Sequence, residues 1–325
     1  MQFFFGFLLF WMVLNGVRAE GFESDPKAVA VLENASHAAN DLSYSGQFVY
    51  QHDGQMDMMS IVHAQVDGLP VTKIESMDGQ RREILKKNNS LSCVFPDKKL
   101  VQIEKQTTRN FFPSIRWPNK DKYVDNYQVM LVGSLRVTGR SCQIIRLNPR
   151  DQYRYAHEFC VDDQTQLLLK ESTINLSGTA IMTVEFSSLI FGSSVSPNSF
   201  KTSYEQSKDW PHQEIASIKA INSDFEITAN PPPGFESLGV FKSIGHKQQR
   251  IEQEVFSDGL ASVSVFIEPA DSNQTTEHIE SLKNTLSYYS SQRNGMKITV
   301  LGEVPVDTAT RIGQSFVINR RDQKK

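Results

Sequence analysis

The residues with the greatest chemical potential in this chain do not assemble a catalytic pattern. His157-Glu158 opens what a zinc peptidase would need, but position 161 is Val161, and two imidazoles one helical turn apart are required to bind the metal from one face. The other histidines, at 37, 52, 63, 212, 246 and 278, have no metal-ligand spacing. His52 and His63 face each other across an expected hairpin, and without a third ligand that pairing reads as structural. There is no G-x-S-x-G elbow, no P-loop and no dinucleotide fingerprint. Asp162-Asp163 falls in an expected turn, where aspartate is ordinary turn chemistry. The expectation is therefore no enzyme, no metal and no cofactor.

Cys93, Cys142 and Cys160 allow at most one bridge within the chain. A tight turn at Asn148-Pro149-Arg150-Asp151 puts Cys142 opposite His157 and not Cys160. A bridge then needs a shifted register, so buried free thiols are the expectation.

What remains is surface and cavity. The aromatic residues Phe48, Tyr50, Tyr153, Tyr155 and Phe159 read as one strand face. Phe111, Phe112 and Trp117 lie in a segment interrupted by Pro113 and Pro118, which makes it a poor strand. Two readings of that segment stand: a lid or plug over the sheet, or a loop pinned to the core by its rings. With Leu32, these residues could line an apolar pocket for acyl chains, or simply form the core.

The elements that position them follow from periodicity. Residues 3–14 are almost wholly apolar, too few to span a bilayer, and Val17-Arg18-Ala19 offers small residues for cleavage before Glu20. Residues 1–19 thus read as a signal peptide, and the mature chain as soluble and periplasmic. Asp25-Pro26 looks like an N-cap with proline at the first helical position, and Ala28, Leu32, Ala35, Ala39 and Leu42 then form one small-residue stripe. From residue 44 to about 189 the period becomes two. Asp53-Gly54 between two alternating runs is a strong hairpin signal, and further strands follow at 71–76, 81–85, 91–95, 100–104, 127–132, 142–147, 153–161, 167–174 and 180–189. That pattern predicts one large antiparallel sheet curled into an open barrel over the helix.

Residues 193–222 are polar and read as a linker. The remaining segment, 223–325, reads as a small α+β domain. It has a second hairpin turning at Asp258-Gly259, a helix over 275–290, a strand at 297–301, and a final helix from 307 or 308 to 318. The formal net charge of −3 argues against a nucleic-acid partner.

Several strings, in order, resemble the RseB/MucB family of envelope-stress regulators. They are Tyr44-Ser45-Gly46-Gln47-Phe48-Val49-Tyr50-Gln51-His52 with Met59-Ser60-Ile61-Val62-His63, then 139–147 with 149–155, then Phe256 to Val265, then 298–305 and 308–312. The resemblance covers both domains colinearly. It implies a LolA-like first domain and binding to the periplasmic domain of a membrane-spanning anti-sigma factor. It also implies shielding of that segment from site-1 proteolysis, and release by lipopolysaccharide or acyl chains, as part of sigma-E regulation. Arg250, Ser257, Asp258 and Gly259, on a hairpin expected to be exposed, become the partner-binding candidates. A periplasmic lipid or lipoprotein carrier is the alternative, and homo-oligomerisation stays open.

Overall fold

The computed structural model describes residues 23–88, 90–105, 111–115, 120–192, 195–207, 210–215, 218–219, 225–244, 250–270, 276–282 and 286–320. The expected signal peptide and Trp117 lie outside them.

Asp25 caps helix α1 (Pro26–Asp41) by accepting from the Lys27 N–H at 2.9 Å, and Pro26 occupies the first turn at no cost in hydrogen bonds. The stripe is buried: Ala28, Leu32, Ala35 and Ala39 are inaccessible. β1 (Tyr44–His52) and β2 (Gln55–Val66) form the expected hairpin, with Asp53 and Gly54 at φ 59° and 73° as a type I′ turn requires. The sheet continues through β3 (Leu69–Ser76), β4 (Glu83–Lys87), β5 (Ser90–Phe95) and β6 (Leu100–Lys105). After helix α2 (Lys120–Asn126) come β7 (Tyr127–Val137), β8 (Arg140–Pro149), β9 (Ala156–Asp162), β10 (Leu168–Ile174) and β11 (Ala180–Phe191). With β12 (His212–Ile215), parallel to β6, the strand order is β12-β6-β5-β4-β3-β2-β1-β11-β10-β9-β8-β7. Helix α1 touches β2, β9 and β7, strands far apart in that order, so the sheet curls around it as an open barrel.

The connection from β8 to β9 is longer than a tight turn. Leu147 pairs with His157, which sets Ile144 opposite Cys160 and Cys142 opposite Asp162. Cys142 and Cys160 are thereby diagonal neighbours with Cα atoms 5.4 Å apart, and they form a disulfide. The expectation of free thiols is corrected: the loop supplies the register shift that a bridge needs. Cys93 is not part of that bridge.

Residues 195–207 and 210–215, inside the expected linker, pack on the first sheet. A 3₁₀ turn at Pro197–Phe200 buries Phe200, and Lys73 Nζ donates to the Lys201 carbonyl at 2.6 Å. Ser203, opening α3 (Ser203–Ser207), donates its N–H and hydroxyl to Glu83.

The second domain is built on a seven-stranded sheet. Its elements are β13 (Ile218–Lys219), β14 (Phe225–Thr228), β15 (Glu236–Ile244), β16 (Arg250–Ser257), β17 (Ser262–Pro269), β18 (Thr276–Leu282), β19 (Leu286–Arg293), β20 (Met296–Gly302), α4 (Val306–Ser315) and β21 (Val317–Arg320). The sheet runs β13-β15-β16-β17-β20-β19-β18, and β14 pairs separately with β21. Val263, Val265 and Ile267 on β17 and Ile298 and Val300 on β20 are buried at period two. The helix expected over 275–290 is two strands. Tyr288 and Tyr289 favour a pleated surface, and pairing of β19 with β20 outweighs local helical propensity. The last helix ends at Ser315 and the chain re-enters a strand.

Candidate functional site

The seam between the two domains is held by a buried charge. Arg154, in the loop before β9, is 1% exposed, and Asp258, in the β16–β17 turn, is 0% exposed. Arg154 Nε donates to Asp258 Oδ2 at 2.8 Å, Nη2 donates to the Pro233 carbonyl at 2.7 Å, and Nη1 bonds Asp151. The guanidinium also lies over the rings of Tyr127, 5.7 Å from its centroid, and Phe235, at 4.9 Å. Asp258 is saturated: Oδ2 also accepts from Tyr127 Oη at 2.8 Å, and Oδ1 accepts the Leu260 and Ala261 N–H groups at 2.9 and 2.8 Å. Burial and the Asp258 charge hold the Tyr127 phenol well above its ordinary pKa, so it stays a donor.

Glycine is required at both turns that the second domain presses into the first. Gly259 has φ 106°, and a Cβ there would meet Tyr123 Oη at 2.9 Å. Gly234 has φ 84°, and a Cβ there would meet Asn126 Oδ1 at 2.1 Å.

The exposed hairpin expected at Asp258-Gly259 is therefore corrected. Its carboxylate and backbone already engage the first domain, because a buried arginine needs a carboxylate partner. Ser257 accepts from the Gly259 N–H and serves the turn itself. Arg250 opens β16 opposite Ile244, and its side chain lies outside those described.

The aromatic candidates divide. Phe48, Phe112 and Phe186 cluster, with centroids 4.9 to 6.3 Å apart, and Tyr50 and Phe111 pack at the edge of the same core. Leu32 and Phe159 belong to the neighbouring core under α1, and Tyr155 is buried. Tyr153 is not on that face, since β9 starts only at Ala156. It packs on the second domain's core, its carbonyl accepts from Thr308 at 2.7 Å, and its hydroxyl accepts from Arg311 at 2.8 Å. Phe111 to Ser114 form one wall of a crevice of about 10 Å³ whose other walls include Tyr44 and Ile74.

Beside the ion pair the seam opens into a groove of about 380 Å³. His157 and Thr173 line it from the first domain, and Leu260, Phe266, Leu286, Leu301 and Glu303 from the second. His157 lies edge-on to Tyr127 at 6.1 Å and stacks on Phe159 at 6.0 Å. Burial lowers its pKa to about 4, with the Asp258 charge opposing, so the ring is neutral. Glu171 shares the β10 face with Thr173, and burial with the nearby Glu303 carboxylate raises it to about 7. Tyr127, Tyr123, Glu171 and Glu303 were not singled out in the sequence, and Arg154 entered only within the 149–155 string that carries the family resemblance. The one available signal was a charged residue, Arg154, between two tyrosines at the start of an expected strand.

Among the described residues no group of three or more His, Cys, Asp or Glu side chains could hold a metal. No described helix is long and apolar enough to cross a membrane.

The chain matches two family models, the MucB/RseB N-terminal domain over residues 27–204 and the MucB/RseB C-terminal domain over 219–317. It is similar to the sigma-E factor regulatory protein RseB of Salmonella typhimurium, 26% identical over 330 residues, covering 94% of this chain and 97% of that protein. It is also similar to the sigma factor AlgU regulatory protein MucB of Pseudomonas aeruginosa, 27% identical over 294 residues, covering 88% of this chain and 89% of that protein. The solved MucA/MucB complex of Pseudomonas aeruginosa shares the fold, with a TM-score of 0.72 at 24% identity over 90% of this chain and 98% of that one.

Proposed function

The chain belongs to the MucB/RseB family, and from that premise we propose that it is a periplasmic negative regulator of an envelope-stress sigma factor. It binds the periplasmic segment of a membrane-spanning anti-sigma factor, shields that segment from site-1 proteolysis, and releases it when lipopolysaccharide or another acylated envelope ligand binds. It carries out no reaction of its own. The observation that carries the reading is that both family domains are present and docked through a buried ion pair, leaving a groove with walls from each. The two domains hold an amphipathic segment jointly, its apolar side chains against Leu260, Phe266 and Leu301.

Release enters through the first domain. The α1 stripe consists largely of alanines, so the helix can shift with little steric cost, and the Phe111-Phe112 segment packs on the core where acyl chains would enter. Each methylene buried contributes about 0.8 kcal/mol, so a few exceed the 1–3 kcal/mol typical of coupling between sites. A pure lipid carrier would need no second domain.

The test is a titration of the full chain with the purified periplasmic segment of the cognate anti-sigma factor, followed by site-1 protease and then lipid A. Saturable binding, protection from cleavage and displacement by lipid A are expected. A segment cut equally fast with and without the chain sinks the shielding role, and one that stays bound at saturating lipid A sinks the lipid gate.

A further inference from the structure

We infer that the groove between the domains selects a segment bearing a lysine or arginine, which it receives between Glu171 of the first domain and Glu303 of the second. The inference rests on the reading that this groove holds the anti-sigma segment.

Register places the receiving groups. Tyr50, Val184, Glu171 and Phe159 lie in one cross-strand row of β1, β11, β10 and β9, and His52, Met182, Thr173 and His157 form the next row. Thr173 and His157 line the groove, so Glu171, two residues from Thr173 on the same face, points to the same side. Glu303 follows β20 and lines the opposite wall.

Neither carboxylate has an ion pair or hydrogen bond among the described residues. The other charged groups nearby do not neutralise them. Lys170 is on the far face of β10, paired with Glu185 at 2.7 Å. His157 is neutral, and His52 acts on Glu303 only when protonated. Asp57 adds further negative charge, and with burial and the two glutamates it pushes the Tyr50 phenol up to about 12. Two carboxylates from different domains thus face one space without a cation among the described residues, at the end of a groove whose Leu260, Phe266 and Leu301 walls suit the methylene stem of a long basic side chain.

A cation arriving between the two carboxylates favours their ionised forms. Because Glu171 is partly protonated at neutral pH, binding releases protons, about half of one at pH 7. By the same linkage affinity increases with pH.

The test is calorimetric titration of the full chain with the periplasmic segment of the cognate anti-sigma factor, in buffers of different ionisation enthalpy at pH 7 and across pH 5.5 to 8. Proton release and affinity at least tenfold higher at pH 8 than at 5.5 are expected. The E171Q/E303Q chain should lose both the proton release and at least tenfold in affinity. Its melting temperature should not fall, since the substitution keeps shape and removes repulsion. If the wild-type chain does not bind the segment, the reading of the groove itself fails. If it binds without exchanging protons, or the double variant loses affinity with proton release intact, the cation preference is overturned and the reading stands.

Discussion

The two ends of the domain seam handle charge in opposite ways. At one end Arg154 and Asp258 are both inaccessible, and every side-chain nitrogen of the one and oxygen of the other has a hydrogen-bond partner. At the other, across the His157 ring, Glu171 and Glu303 face each other with like charge and no partner among the described residues. A buried ion pair costs desolvation and is retained where geometry must be specified, whereas an uncompensated carboxyl pair destabilises unless something arrives to neutralise it. The first end fixes the relative position of the domains, and the second is left open to what that position frames.

The largest effect should come from breaking the fixed end. Arg154→Met leaves the Asp258 carboxylate buried without its cation, at a cost of about 3–5 kcal/mol. The loss concentrates at the seam. Urea unfolding should separate into two transitions, and small-angle scattering should show a larger, more variable distance between domains. Arg154→Met with Asp258→Asn should recover part of the loss. A single variant less than about 1 kcal/mol below wild type, with unchanged scattering, would show that the ion pair does not hold the domains.

A somewhat smaller loss is expected from the disulfide behind the latch. Cys142 and Cys160 tie β8 to β9, the hairpin whose loop carries Arg154, across a separation of 18 residues. Closing a loop of that size stabilises by about 3 kcal/mol. Cys142→Ala with Cys160→Ala should lower the stability of the first domain by about that much while leaving the second domain's transition in place. Equal effects on both transitions would mean that the bridge supports the seam more than the hairpin.

Local signals made much of the fold readable before any coordinates. Asp25-Pro26 set the start of α1, Asp53-Gly54 set the first hairpin, and period-two runs set most strands of the large sheet. The failures share a cause: each was decided by a partner distant in sequence. The 275–290 segment has no strong strand pattern alone and becomes strand because β20 offers it an edge. Asp258-Gly259 reads correctly as a turn, but its burial depends on Arg154, 104 residues away, and on Tyr127, 131 residues away. The disulfide was missed because a few additional loop residues move the register. The aromatic set was legible as apolar surface, yet Tyr153 went to the other domain because the strand begins three residues later than alternation suggested. Glu171 carries no mark in the sequence, since its burial and the docking of Glu303 opposite make it unusual only in the folded chain.

The smallest effect separates the two ends by pH. Glu171 has a folded pKa of about 7, above its unfolded value, because burial and then Glu303 disfavour its charge. Its contribution to stability is therefore complete below the unfolded pKa of about 4.3 and is lost as pH rises through 7. His157 has a folded pKa of about 4, below its unfolded value, because burial disfavours the imidazolium more than Asp258 favours it. Its contribution is complete above about 6.5 and is lost as pH falls through 4. Between about pH 4.5 and 6.5 the two slopes oppose each other, each at most about 1.4 kcal/mol per pH unit, with Glu171 lower because it keeps some solvent contact. The wild-type chain should show little pH dependence from these groups in that window. Glu171→Gln should expose the histidine slope, with stability rising from pH 5 to pH 6. His157→Phe, which keeps a ring between Tyr127 and Phe159, should expose the glutamate slope, with stability falling over the same interval. Urea midpoints at pH 5 and pH 6 decide the matter. If Glu171→Gln runs parallel to wild type, the carboxyl titrates normally in the folded chain and the two ends of the seam do not differ in the way their geometry indicates.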